Sequence, residues 1–316
     1  MTAVGGDATR RVRRGRGFEY RAADGARITS NAQLQRFRDL VIPPAWTDVH
    51  IARSPDAKVL ATGVDADGRT QYRYHPSWIE AAAAKKLSRA LDLADVLPMA
   101  RQGVTKDLRR GTMERRVVLA AAFRILDSAL VRIGSEAYEQ THKTVGVSTL
   151  RCRHVWLDGA DIRLRFRAKG GLRWDSELHD PDLAAVLKTL ANRGPSKRLL
   201  AWQDDIGWHP LRAPEVNADV RDRTGGEFTA KDFRTLHGTL EAARALTAIG
   251  YRESETEQAS AVRDAVRAAA AALGNTEAVA RASYIDPRLF EAYETGEVLR
   301  GGSRAGVTGL RTLLER

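Results

Sequence analysis

The stretch Ala282-Ser283-Tyr284-Ile285-Asp286-Pro287 holds a tyrosine that has two readings. Tyr284 is an ordinary helix residue packing its ring, or it is a nucleophile, because a phenolate attacks phosphorus well once its charge is managed. The deciding question is whether the rest of the chain supplies a phosphate site. Arg132 is expected in the last helical turn before Gly134. A cation there suits the helix dipole, but its apolar neighbours Val131 and Ile133 also suit a half-buried guanidinium with an anionic partner. Lys169 precedes Gly170-Gly171 at the end of an expected strand, where a lysine either stays solvated or swings into a ligand. Thr229-Ala230-Lys231-Asp232 reads as a capping box, with Thr229 as N-cap and Asp232 at N3. Lys231 and Arg234, three apart, share a face on the first turns of that helix, where backbone N–H groups converge. They form either a phosphate site or a surface pair of cations. Asn275 follows Gly274 and is expected to cap the next helix. Each residue has a structural explanation on its own. Four cations and a tyrosine on separate elements make a stronger joint case for phosphoryl transfer.

The elements that must position these residues give an α+β fold class: a small N-terminal antiparallel-sheet domain and a larger, mostly helical domain with a small antiparallel sheet of its own. Residues 1–17, with Arg10, Arg11, Arg13, Arg14 and Arg16 and few apolar side chains, read as a disordered basic arm, either a DNA contact or an inert tail. Residues 18–97 form the N-terminal domain. Strands are expected at 49–54, 58–65 and 70–75, with a turn at Asp65-Ala66-Asp67-Gly68. A helix capped by Ser77 is then expected to stop before Pro98, the domain boundary. Residues 98–316 form the second domain. An apolar stripe from Leu119 to Ile133 marks a helix that Gly134 ends. Strands are expected at 147–157, 161–169 and 172–178, and helices near 181–193, 213–223, 229–248, 256–273, 275–285 and 287–295. In the middle strand Ile162, Leu164, Phe166 and Ala168 alternate with Arg163, Arg165, Arg167 and Lys169. Four cations on one face call for an anion or acidic neighbours, or protect a sheet edge.

Composition narrows the partners. The chain has 316 residues, 51 Lys plus Arg against 40 Asp plus Glu, and a net charge of +11, which favours a polyanion, nucleic acid before anionic membrane. There is no run of eighteen apolar residues, no secretory leader is expected at an N-terminus without an apolar stretch, and the single cysteine, Cys152, excludes an internal disulfide and fits a reducing compartment. The sequence has no CxxC, no HExxH and no glycine-rich phosphate loop, and its seven histidines are scattered, so no metal site and no ATP site are expected.

With these residues in place, a wider pattern is recognisable. VIPPAW, QYRYHP, LVRIGSEAY, VSTLRCRHV, FRAKGG, FTAKDFRTLHGT and LGNTEAVARASYI, in consistent order over about residues 18–300, resemble the poxvirus-like bacterial DNA topoisomerases of type IB. The resemblance implies that Arg132, Lys169 and Arg234 are the catalytic basic residues, Tyr284 the nucleophile and Lys231 an ancillary phosphate contact. Asn275 stands where the poxvirus pattern has histidine, as in bacterial members. An asparagine can donate to a nonbridging oxygen but carries no cationic proton, so both that role and the N-cap role stay open. The segment matching Gln71, Tyr72 and Tyr74 touches the major groove in the family. Strand alternation sets Gln71 on the opposite face from the two tyrosines, so either the strand end twists or one of the three is structural. The basic excess, with Arg163, Arg165 and Arg167, would bind duplex phosphates.

The implied activity is relaxation of positive and negative supercoils through a 3′-phosphotyrosyl intermediate. It needs no ATP, metal or other cofactor, and a monomer clamps double-stranded DNA in the bacterial cytoplasm, at the nucleoid. Two rivals remain. A tyrosine recombinase shares the catalytic logic but usually has histidine where this chain has Lys231. A catalytically inactive DNA-binding protein would not need the intact set of Arg132, Lys169, Arg234 and Tyr284.

Overall fold

The arginine-rich N-terminus folds as a hairpin. In the computed structural model, which describes residues 4–302 and 306–315, β1 (Thr9–Arg14) and β2 (Gly17–Arg21) pair antiparallel with Arg14 opposite Gly17. This corrects the expectation of a disordered arm over 1–17, of which residues 1–3 lie outside the described residues. Two of its arginines, Arg11 and Arg14, are engaged rather than merely solvated. Arg11 donates to the carbonyls of Ile42, Pro43 and Trp46 at 3.1, 3.0 and 2.8 Å and lies 4.1 Å over the ring of Phe18. It thereby ties down the turn at Pro43-Pro44, whose two prolines have no N–H to donate. Arg14 meets Glu19 at 3.3 Å.

Strand β1 also pairs with β3 (Thr47–Ile51), and β4 (Val59–Val64) and β5 (Thr70–Tyr74) complete an antiparallel sheet of order β2-β1-β3-β4-β5. Helix α1 (Asn31–Asp39) contributes Phe37, which with Val49, Ile51 and Ala61 forms the core of this unit. The unit ends at Lys85, and a second begins at Lys86. Helix α2 runs from Pro76 to Leu108, straight through Pro98. The expected stop and boundary at 97/98 are therefore corrected. Pro98 costs the helix one hydrogen bond. Buried Leu93, Ala94, Leu97, Ala100 and Val104 on either side outweigh it, since each buried large aliphatic side chain contributes about 1.5–3 kcal/mol.

The second unit is built around α3 (Arg115–Ala129), buried along most of its length, and α7 (Ala230–Ile249), whose Phe233, Leu236, Leu240 and Leu246 are almost wholly enclosed. After α4 (Glu136–His142) the chain makes two short 3₁₀ turns, Val147–Thr149 and Cys152–His154, where a strand is expected from Val147. The backbone there bonds locally and to residues 195–199 (Leu199 N to Leu150 O, 2.8 Å), which leaves only β6 (Val155–Asp158) for the sheet. β7 (Asp161–Arg167) is central and β8 (Arg173–His179) completes the order β6-β7-β8.

Then follow α5 (Pro181–Ala191), the small hairpin β9 (Ala201–Gln203) and β10 (Trp208–Pro210), and α6 (Ala213–Thr224). Helix α8 (Glu255–Leu273) buries a stripe of small residues, Ala261, Ala265, Ala269 and Ala270. Helices α9 (Glu277–Tyr284), α10 (Arg288–Glu294) and α11 (Val307–Leu314) complete the unit. The six helices expected between 181 and 295 are present with ends shifted by at most two residues; the β9–β10 hairpin and α11 had no counterpart in the expectations. Among the described residues, no helix is long and apolar enough to cross a membrane.

Candidate active site

Tyr284 is the last residue of α9, and its backbone is seated against α7. Gly238 makes this possible: a Cβ there would stand 2.7 Å from the Tyr284 carbonyl oxygen and 3.2 Å from the Tyr284 Cβ. One residue on, Thr239 Oγ1 lies 3.3 Å from that carbonyl and accepts the N–H of Asp286 at 3.1 Å. Buried Asp286 in turn holds Arg288 at 2.7 Å. Two cations face the half-buried tyrosine ring, the Arg234 guanidinium at 5.1 Å and the Lys86 ammonium at 4.9 Å from its centroid.

Arg234 is buried on α7. Its Nη1 bonds the carbonyl of Leu130 and its Nη2 that of Leu273 at 2.7 Å, while Nε has no partner. Burial, reinforced by the like charge of Arg132, pushes this guanidinium down to about 10, and the nearby Tyr284 opposes the shift. Helix α7 begins with the expected capping box, in which Asp232 Oδ2 accepts from Thr229 N at 2.8 Å and Thr229 Oγ1 at 2.9 Å. Lys231 beside it is exposed.

Arg132 is not in a helical turn, which corrects the expected placement. Helix α3 ends at Ala129 because Leu130 adopts a left-handed conformation (φ 54°), turning its carbonyl toward Arg234. Arg132 then lies in an extended segment held by Val147 N to Arg132 O at 2.8 Å and Ser148 N to Ile133 O at 2.9 Å. Gly134 and Gly146 cross so closely that a Cβ on Gly146 would fall 2.5 Å from the Arg132 carbonyl. The Arg132 side chain bonds Asn275 Oδ1 through Nη2, its Nη1 has no partner, and burial lowers its pKa.

Asn275 does not cap α9. Thr276 does, accepting from Val279 N at 3.4 Å, whereas the N–H of Asn275 closes the end of α8 on Ala270 O at 3.0 Å. The side chain is thereby free to meet Arg132, and its buried Nδ2 has no partner. Arg132 Nη1, Arg234 Nε and Asn275 Nδ2 are three unsatisfied donors on neighbouring side chains around one tyrosine. Leaving a buried donor unpaired costs about 1–3 kcal/mol. A charge-assisted bond from either guanidinium to an oxyanion would be of the strong kind.

The other expected residues lie elsewhere. Lys169 opens a short turn, Lys169–Gly171, after β7 has ended at Arg167, so the strand alternation does not extend to it. It is exposed, with its ammonium 5.7 Å from the ring of Tyr138, and is not gathered with Tyr284. Arg163 is fastened to Asp175 at 2.8 and 3.0 Å and to Glu177 at 3.3 Å, and Arg165 to Asp175 at 2.9 Å. These acidic neighbours on β8 neutralise much of the basic face. Arg167, cross-strand from Arg173, makes no ion pair among the described residues.

Within the smaller unit, Gln71 Nε2 is committed to Asp65 Oδ2 at 2.7 Å, bracing the turn between β4 and β5. Tyr72, Tyr74 and Trp78 form a stacked ladder with centroids 5.8 and 4.5 Å apart, and Tyr72 is exposed. Gln71 is thus held within the unit, while Tyr72 presents an exposed ring.

Three positioning features escape sequence reasoning. Lys86 follows an alanine run and has no motif around it. Gly146 looks like any loop glycine. Gly238 and Thr239 follow Arg234 in TLHGT, where helical periodicity, which puts Gly238 one turn from Arg234, is the only signal.

Residues 76–295 match the family described as eukaryotic DNA topoisomerase I, catalytic core. The chain belongs to that family. Residues 17–65 match the bacterial DNA topoisomerase IB N-terminal domain. Among curated relatives, the DNA topoisomerase 1B of Acanthamoeba polyphaga mimivirus is 27% identical over 291 residues, covering 90% of this chain and 87% of that protein. DNA topoisomerase 1 of Schizosaccharomyces pombe is 29% identical over 165 residues, 51% of this chain and 19% of that protein. DNA topoisomerase 1B of vaccinia virus (strain Copenhagen) is 22% identical over 153 residues, 47% of this chain and 49% of that protein. The enzyme class is thus that of the type IB topoisomerases, isomerases that act on DNA. All residues around Tyr284 lie inside the matched catalytic core, whereas Gln71, Tyr72 and Tyr74 fall between the two matched segments.

Proposed function

We propose that this chain relaxes positively and negatively supercoiled DNA by transient cleavage of one strand. Tyr284 Oη attacks a backbone phosphorus, the bond to the 5′ oxygen breaks, and a 3′-phosphotyrosyl bond and a free 5′-hydroxyl result. The broken strand rotates about its partner and the hydroxyl attacks back. The observation that carries this reading is the set of unpaired donors on Arg132, Arg234 and Asn275 beside Tyr284.

Negative charge concentrates on the nonbridging oxygens in the transition state, and fixed donors aimed at them lower the barrier. Arg132 and Arg234 supply permanent charge and Asn275 a neutral donor. The phenolic proton leaves to solvent. The departing 5′ alkoxide is far more basic than a phenolate, whose acid has a pKa of about 10, and needs a proton. Lys169 is assigned as its general acid. That assignment requires the tip at Gly170-Gly171 to carry Lys169 toward the scissile phosphate when DNA binds. Both glycines have φ near 80° (78° and 77°). Lys231, on the first turn of α7, is assigned to a flanking phosphate, as is Arg167. Arg163 and Arg165 are weaker phosphate contacts because Asp175 already holds them. Tyr72 and Tyr74 are assigned to the major groove, with Gln71 bracing their strand. The phosphotyrosyl diester conserves the energy of the broken bond, so religation needs no ATP and no metal. The enzyme works as a monomer on duplex DNA in the bacterial cytoplasm.

The test is relaxation of plasmids of either supercoil sign in EDTA without nucleotide. Both should be relaxed to completion. A requirement for ATP or magnesium would overturn the mechanism, and binding without relaxation would restore the recombinase or inactive-binder reading.

A further inference from the structure

Lys86, the first residue of the larger unit, has no part in the chemistry above, yet its ammonium sits on the nucleophile's own segment. It donates to the carbonyl of Ser283, in the last turn of α9, and stands over the face of the Tyr284 ring. One turn along α2, Arg89 reaches buried Asp232 at 2.7 Å, the carboxylate that caps α7. Two consecutive turns of α2 therefore grip the end of the nucleophile's helix and the start of the helix that carries Arg234. The groups facing Lys86 are Arg89 on its own helix, Lys231 and Asp232 on α7, and Tyr284 on α9. A half-buried cation beside two others is costly to keep, so it needs a reason beyond packing.

We propose that Lys86 is a positioning residue for Tyr284: its ammonium, anchored on the Ser283 carbonyl and set against the ring, fixes the orientation in which the phenol meets the scissile phosphate. The carbonyl anchor restrains the backbone at the end of α9. The ring contact restrains the side chain. Burial and the neighbouring Lys231 push the Lys86 ammonium down to about 8. The grip is therefore full at neutral pH and weakens as pH rises through about 8, while an arginine at this position stays charged. This role rests on Tyr284 being the nucleophile.

The experiment is single-turnover formation of the covalent adduct on a duplex whose cleaved end dissociates, using the full chain. Lys86→Met, Lys86→Arg and Tyr284→Phe are compared with wild type from pH 6 to 10, with duplex affinity and thermal midpoint measured for each. Lys86→Met should form adduct at least ten-fold more slowly at saturating DNA, with affinity within two-fold of wild type and a melting temperature unchanged or raised. Lys86→Arg should recover most of the rate, and its profile should lack the decline that wild type shows above about pH 8. A wild-type rate in Lys86→Met overturns the role. So does a loss explained wholly by weaker DNA binding, which would make Lys86 a phosphate contact, or one accompanied by a lowered melting temperature that Lys86→Arg fails to restore. Adduct formed by Tyr284→Phe would instead overturn the assignment of the nucleophile.

Discussion

Replacing Gly238 by alanine tests whether α7 holds Tyr284 to within a fraction of an ångström. The new Cβ would lie 2.7 Å from the Tyr284 carbonyl oxygen and 2.8 Å from Leu273 Cδ1, where ordinary contact begins near 3.4 Å. The tyrosine carbonyl must therefore retreat by about 0.7 Å, or α7 must shift by as much. The obstacle is backbone, so Tyr284 moves with it, whereas Arg234 stays tied to Leu130. Two effects on stability oppose each other. Alanine in a helix interior is favoured over glycine by about 1 kcal/mol, and overpacking costs about 1–3 kcal/mol. The net loss is about 0–2 kcal/mol, a fall in melting temperature below about 8 °C for a unit of this size. Catalysis should suffer more, because a misplacement of about 1 Å costs on the order of 100-fold. The assay is single-turnover adduct formation at saturating duplex, with affinity measured separately. The expected result is a rate about 10- to 100-fold lower with little change in affinity. A wild-type rate alongside a lowered melting temperature would show that the tyrosine tolerates the displacement, and would refute the claim that Gly238 sets its position.

Three further outcomes follow from the same geometry. Gly146→Ala forces a Cβ to 2.5 Å from the Arg132 carbonyl and the Gly134 Cα, so it should cost about 1–3 kcal/mol or more and slow cleavage by displacing Arg132, as thermal melts and adduct kinetics would report. Asn275→Ala removes one neutral donor from the phosphate while Thr276 still caps α9, so cleavage should slow by about ten-fold, worth about 1.4 kcal/mol, with the melting temperature held within a few degrees. Asp127 is buried, which raises its pKa, but Arg101 at 2.7 Å and His237 at 2.9 Å together pull the carboxyl well below the usual range. Its folded pKa is depressed, so its contribution is complete above about pH 4 and is lost as pH falls through the depressed value. Asp127→Asn should cost about 3 kcal/mol at pH 7, the low end of the range for a broken buried pair because Arg101 is 37% exposed, and urea melts should show the gap to wild type narrowing below about pH 4.

What could be read in the sequence divides along physical lines. Helices with an apolar stripe and a cap, such as α7 with Thr229 and Asp232 or α8 with Gly274 at its end, were legible because those signals are local. The N-terminal hairpin was not, because Arg11 is satisfied by the carbonyls of residues 42–46, a partnership that composition cannot register. Pro98 misled for a related reason: the breaker rule is local, and the burial that overrides it is tertiary. At the site, the residue types were legible but their placement was not. Arg132 reaches Asn275 only because Leu130 turns left-handed and Gly146 crosses Gly134, both long-range consequences of packing. Lys86 was invisible, since nothing distinguishes it from Lys85 after the four alanines until α2 is laid beside α9.

The most direct test of the central claim is to trap the covalent protein–DNA adduct, digest it and identify the modified residue and the joined DNA end. The expected product carries the 3′ phosphate of the cleaved strand on Tyr284 and leaves a free 5′-hydroxyl. A link to any other residue, a link through a 5′ phosphate, or cleavage with no covalent adduct would contradict the account.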